Sequence, residues 1–338
     1  MNIDVIAFTD RGRALSRSIA AQLPEEQVQL YAKAAGFQRY ETVRSFAQYA
    51  MGHADAIVFV GATGIAVRAI APFVQSKDTD PAVLVIDENG RFVISLLSGH
   101  IGGANRLVQR LALALGAVPV ITTATDGRGI FAVDSWAAEH NCVVRNINAI
   151  KDISGALLRG EQVGLHSTFP VSGALPDGIA TDLSLTYGVE ISMDRRDDGP
   201  FAHTLYLTPR IVHVGLGCKR NTPPDALARW ARQVLEREKI DIRAVASVAS
   251  IDLKRDEAAV CRLAQAWHVP VQFYTAQELE QVQGDFSPSE FVRRVTGTDN
   301  VCQRAAAKAS RGGRCLLQKT AQDGMTISLY CEDWRIVF

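Results

Sequence analysis

The sequence predicts an α/β protein in which two outer three-layer α/β domains flank a small mixed central domain. Three observations predict it. Short β-branched runs alternate with amphipathic helical stretches at both ends of the 338-residue chain. The middle is instead broken by glycines, at Gly155, Gly160, Gly164, Gly173, Gly178 and Gly188. Charge is also uneven: residues 1–138 hold 12 basic and 12 acidic side chains, 139–207 hold 5 and 9, and 208–338 hold 19 and 15. The formal net charge of zero therefore conceals an acidic middle and a basic carboxyl end, and the expected domains are 1–138, 139–207 and 208–338.

Taken in order, IDVIAF (Ile3–Phe8) reads as a strand, and Thr9 or Asp10 opens a helix with Leu15, Ile19 and Leu23 on one face. AIVFV (Ala56–Val60) is nearly all apolar, as expected of a strand covered on both faces. VLVI and RFVIS flank Asp87-Glu88-Asn89-Gly90, a hairpin signal. The next helix spaces Leu107, Leu111 and Leu115 four apart and stops at Gly116. Asp194 to Pro200 reads as an exposed turn or linker. IVHVGLG (Ile211–Gly217) restarts the rhythm, and Thr222-Pro223 caps a helix with a stripe of Leu227, Trp230, Val234 and Leu235. AVASVAS, a helix around Ala258 to Trp267, and VQFYT follow. In SPSEFV, Ser287, Pro288 and Glu290 fit N-cap, N1 and N3. RCLLQ, TISLY and RIVF close the sheet with antiparallel strands.

Composition excludes several classes. At 47% hydrophobic and 21% charged the chain is globular, and its charge balance argues against nucleic acid as a partner. Its six cysteines form no CxxC pair and its seven histidines no HxxxH or HExxH pair, so no protein-held metal is expected and reduced thiols are. No apolar run approaches the roughly 20 residues of a membrane span, and the amino terminus does not read as a signal peptide. A cytoplasmic location without membrane association is expected.

Two glycine-rich loops in the first segment are candidates for chemistry. In FVGATGIAV, Gly61, Thr63 and Gly64 sit where a strand meets a helix, a place receptive to carboxylate or phosphate, although Thr63 also suits a cap. In SLLSGHIGGAN, Ser98, His100 and Asn105 interleave with Gly99, Gly102 and Gly103. Glycines admit a ligand close to the main chain, and His100 is the side chain best suited to move a proton near neutral pH. Thr122, Thr123, Thr125 and Asp126 follow the apparent strand VPVIT and border the same cleft or cap the next helix. In the last segment Lys219 and Arg220 of GLGCKRNTP suit an anionic substituent, and SVASIDLKRDE offers Ser250, Asp252, Lys254 and Glu257 after a strand. Cys218 has no histidine placed by motif to activate it. His213, inside an apolar strand, reads as a satisfied core histidine.

GATGIAVR, SLLSGHIGGANRL, VGLGCKRNTP, ASIDLKRDE and SPSEFVRRVTG, in this order, resemble the CbiG family, the cobalt-precorrin-5A hydrolases of anaerobic cobalamin biosynthesis. The match spans both outer segments. CLLQKTAQDGMTISLY departs from the Pro-Lys pattern of some members, so no role follows for Lys319. The resemblance implies a cobalt-bearing tetrapyrrole substrate whose ring-A δ-lactone is opened and whose C20 carbon leaves with its methyl as acetaldehyde. It implies no protein cofactor, since cobalt travels with the substrate, and neighbouring enzymes of that pathway as partners.

On that basis His100 is the expected proton-transfer residue, N–H groups around Gly102 and Gly103 the expected oxyanion donors, and Thr63 and Asn105 the residues orienting water or a peripheral carboxylate. Gly61, Gly64, Ser98, Gly99, Lys219, Arg220, Asp252 and Lys254 complete the expected substrate contacts, with the macrocycle between the outer domains. A noncatalytic carrier of a cobalt-corrin intermediate would use the same loops. A nucleotide-dependent enzyme or a methyltransferase would need glycine loops that the chain lacks.

Overall fold

A computed structural model of the chain describes residues 1–76, 79–123 and 130–338, so Thr125 and Asp126 lie outside the described residues. It forms two compact units, Met1–Glu139 with Ser154–Glu161, and His140–Ile153 with Gln162–Phe338. No helix among the described residues is long and apolar enough to cross a membrane.

The first unit contains β1 (Asn2–Ala7), α1 (Asp10–Ala21), β2 (Gln27–Tyr31), α2 (Val43–His53), β3 (Ala56–Val60), α3 (Thr63–Ile70), β4 (Ala82–Ile86), β5 (Phe92–Leu97), α4 (Ala104–Leu115), β6 (Val118–Val120) and α5 (Val133–Glu139). Its sheet runs β2-β1-β3-β4-β5-β6. The alternation of β3 makes it the middle of three layers. Ala56, Val58 and Val60 pack on one side with Ile19, Leu107 and Leu111. Ile57 and Phe59 pack on the other with Phe46, Ala66 and Ile70. Burial on both faces is why this strand is apolar throughout. Thr9 caps α1 through its side chain, and Gly116 ends α4 at φ 65°, both as the sequence predicts.

Asp87 builds the turn between β4 and β5. Its Oδ1 accepts the N–H groups of Arg91 and Phe92 at 2.7 Å, and Gly90 takes φ 67°. Although burial raises the Asp87 pKa, these backbone hydrogen bonds win and hold it below the usual carboxylate range. The hairpin makes β5 antiparallel to β4, with Ile86 opposite Val93 and Val83 opposite Leu97. All the other pairs in this sheet are parallel.

The second unit starts with β7 (Cys142–Val144), followed by α6 (Ile150–Leu158), which runs on into residues of the first unit, and β8 (Val163–Ser167). Strands β9 (Val171–Ser172), β10 (Ile179–Ala180), β11 (Tyr187–Ile191) and β12 (His203–Pro209) complete the central segment. Its sheet runs β10-β8-β11-β12-β7, with only β7 antiparallel to its neighbour. Then come β13 (Val212–Cys218), α7 (Pro224–Arg237), β14 (Val245–Ile251), α8 (Ala258–Ala266), β15 (Val271–Tyr274), α9 (Ala276–Glu280), α10 (Glu290–Thr296), α11 (Cys302–Ala309), β16 (Arg314–Gln322), β17 (Met325–Cys331) and β18 (Ile336–Val337). Here the sheet order is β15-β14-β13-β17-β16. Val214 and Leu216 meet Leu227, Trp230 and Val234 of α7. Gly215 lets α11 approach so closely that a Cβ there would stand 1.8 Å from the Cys302 carbonyl oxygen.

Three local expectations are corrected. RIVF does not extend this sheet: β18 pairs in parallel with β9 of the central segment, and Trp334 packs edge-on against Phe169. The cap of α10 is Ser289, whose side chain accepts the Val292 N–H, because Ser287 is tied to Gln303 and Asn300 through its backbone. Thr222 does not cap α7. Its hydroxyl donates instead to the Lys219 carbonyl at 2.8 Å, and Pro223 holds the cap position without a side-chain bond.

Candidate functional site

The His100 loop leaves β5 and folds back on the start of α4. The N–H groups of Gly103, Ala104 and Asn105 donate to the carbonyls of His100, Ser98 and Gly99 at 2.9, 3.1 and 2.9 Å. Ser98 takes the left-handed conformation at φ 56°, and Gly103 does so at φ 81° as the residue preceding α4. A Cβ at Gly102 would stand 2.4 Å from that of Ser98, and one at Gly99 would stand 2.8 Å from Asn105 Oδ1. The three glycines are thus required by the closure of the loop itself.

This geometry alters one expectation. The Gly103 N–H is spent on the His100 carbonyl, so it is not the oxyanion donor the sequence suggested. His100 is held at its ring instead. Its Nδ1 lies 2.9 Å from Asp134 Oδ2 on α5, and the two side chains are only 17% and 8% exposed. Asn105 is buried in the first turn of α4, where its Nδ2 donates to Thr123 Oγ1 at 3.1 Å. Thr123 follows β6, which is parallel to β5, so the two loops emerge together. His100, Asn105, Thr123 and Asp134 thus gather around one loop.

Thr63 does not join them. Val60 pairs with Ile86, so the Gly61–Gly64 loop sits at the far end of β4, while Leu97 and the His100 loop sit beside Val83 at its beginning. Gly102 even faces the Ala82 backbone nitrogen, 3.4 Å from its would-be Cβ. Four residues of strand, about 13 Å at the usual rise, separate the two ends. The Gly61 N–H donates to the Ile86 carbonyl at 2.8 Å, and the Gly64 carbonyl accepts from Arg68 at 3.1 Å. Thr63 is the first residue of α3 and makes no cap.

In the second unit, β13 and β14 run parallel and deliver Lys219, Arg220, Asp252 and Lys254 to the same sheet end. The Lys219 N–H donates to the Gly324 carbonyl of the β16–β17 turn at 3.1 Å, while its side chain and that of Arg220 are exposed. Lys254 Nζ is 3.3 Å from Glu257 Oε2, which also accepts the Asn221 N–H. Glu257 therefore organises this cluster. Burial raises the Cys218 thiol pKa despite Lys254, the opposite of what an activated nucleophile needs. Ser250 is buried and donates to the Leu216 carbonyl. His213 is a core residue, as expected, bonded to Ser247 at 2.8 Å and Glu332 at 2.9 Å, with burial lowering its pKa.

Sequence reasoning missed Asp134 altogether. It lies 34 positions from His100 and carries no local motif, so only the fold reveals the contact. Glu257 had a visible signal, its spacing of three from Lys254 on a turn, but its role depends on the Asn221 backbone across the cluster.

Comparisons with known proteins agree along the chain. Residues 45–126 match the family described as cobalamin synthesis G N-terminal, 131–209 the cobalamin biosynthesis central region, and 212–330 the cobalamin synthesis G C-terminus. A relative from Salmonella typhimurium, named cobalt-precorrin-5A hydrolase, is 36% identical over 97% of this chain and 97% of its own. Another of that name from Priestia megaterium is 27% identical, covering 96% of this chain and 93% of its own. The crystal structure of a cobalamin biosynthesis protein G homologue from Sulfolobus solfataricus aligns with a TM-score of 0.44 at 23% identity, covering 98% of this chain and 97% of the other. Three family segments in register and a relative matched end to end place this chain in the cobalamin synthesis G (CbiG) family.

Proposed function

We propose that the protein is a cobalt-precorrin-5A hydrolase, which opens the ring-A δ-lactone and releases the C20 carbon with its methyl as acetaldehyde to give cobalt-precorrin-5B. The observation that carries this reading is the end-to-end match with the Salmonella relative of that name. Water adds to the lactone carbonyl and the ring C–O bond breaks, leaving a carboxyl group and an oxygen on C20. That oxygen becomes the acetaldehyde carbonyl as the remaining C20–ring bond breaks, with its electron pair passing into the macrocycle. The sequence needs a group that takes a proton from water and returns one to the departing oxygen, and His100 is suited to both. The exposed Lys219 and Arg220 suit peripheral acetate and propionate groups. No protein-held cofactor enters this scheme, because cobalt arrives with the substrate.

The test is anaerobic incubation of the purified protein with cobalt-precorrin-5A. The expected result is more than one acetaldehyde per protein, with a macrocycle that has gained water and lost acetaldehyde. Binding of the macrocycle without acetaldehyde would make the protein a carrier and overturn the proposal.

A further inference from the structure

We propose that Asp134 is the positioning residue of His100: it accepts the Nδ1 proton, holds the imidazole in that tautomer, and so assigns proton transfer to Nε2. This rests on the reading of His100 as the proton-transfer group. The two residues meet at 2.9 Å although 34 positions separate them, and both side chains are largely enclosed. The other Asp134 oxygen accepts the Ser135 N–H at 3.1 Å, so the carboxylate is held from two sides. A carboxylate offers only acceptors, so the proton shared with the ring belongs to Nδ1. When Nε2 takes a proton from water, the resulting imidazolium faces a fixed carboxylate and the bond becomes charge-assisted. The same proton can then return to the departing lactone oxygen, leaving His100 neutral. Asp134 touches no reacting atom and acts only through the ring.

The experiment uses the full chain with nitrogen-15-labelled histidine, and compares His100→Ala, Asp134→Asn and Asp134→Glu in acetaldehyde release. In the unaltered protein the neutral His100 ring is expected to carry its proton on Nδ1, a readout that needs no variant and no substrate. Asp134→Asn is expected to shift the tautomer balance and lower kcat on the order of 10²–10⁴-fold. KM should stay within about threefold, since ground-state binding is untouched. Asp134→Glu restores part of the loss. If His100→Ala is inactive while Asp134→Asn keeps full kcat, the role of Asp134 is refuted and that of His100 stands. If His100→Ala keeps full activity, the reading of His100 itself is wrong. A neutral ring protonated on Nε2 would overturn the inference whatever the kinetics.

Discussion

Replacing Gly102 with alanine tests whether the shape of the His100 loop, rather than its mere presence, sets the reaction rate. The added methyl carbon would stand 2.4 Å from Ser98 Cβ and 2.9 Å from the Ser98 carbonyl oxygen. Ordinary carbon contacts lie at roughly 3.5–4.0 Å, so the loop must open by about 1 Å. Ser98 cannot easily yield, because its carbonyl accepts the Ala104 N–H at the start of α4. The displacement therefore falls on the segment that carries His100. With His100 as the proposed proton-transfer group, a misplacement of about 1 Å costs on the order of 10²-fold in rate. Overpacking of this kind also costs about 1–3 kcal/mol of stability. The expected outcome is single-turnover acetaldehyde release slowed about 100-fold, with a lower Tm. Wild-type release at an unchanged Tm would refute the reasoning, since it would mean that Ser98 and His100 move independently.

Two further predictions concern stability and reactivity in the second unit. Asp241 is buried and lies 3.5 Å from the buried Arg145 and 2.8 Å from Arg243. Although burial raises its pKa, the Arg243 hydrogen bonds and the charges of Arg243 and Arg145 win and hold it below its ordinary 3.8. A lowered folded-state pKa means stability that is fully present above 3.8 and lost as pH falls through the folded value. Asp241→Asn is expected to cost about 3 kcal/mol in urea unfolding at neutral pH, and the gap to wild type should narrow only in acid; equal stability at neutral pH would contradict this. Burial pushes the Cys142 thiol up to about 12 and the Cys302 thiol also upward. Neither should be alkylated by iodoacetamide until the chain unfolds, and rapid native-state labelling of either would show that it is accessible.

The elements legible in the sequence were those whose signals are local. Ala56–Val60 announces a central strand because both of its faces are buried, and Asn89-Gly90 announces a hairpin because Gly90 must take φ 67°. What stayed illegible is what depends on the path of the chain. The hairpin was readable, but its consequence was not: by reversing β5 it carries the His100 loop to the opposite end of the sheet from Thr63. Ser287 fits a cap by spacing, but tertiary bonds from Gln303 and Asn300 occupy its backbone, and the cap falls to Ser289. Asp134 leaves no local trace, because a carboxylate at the start of a helix has the same appearance whether or not a histidine is waiting beside it.

The small pairing of Ile336 and Val337 with Val171 and Ser172 bears on how this chain can be taken apart. A cut between residues 209 and 212, where the central and carboxyl-terminal family segments adjoin, separates β9 from β18 and Arg145 from Asp241. Each product would keep half of a two-part clasp, one strand of the pair and one partner of the buried ion pair.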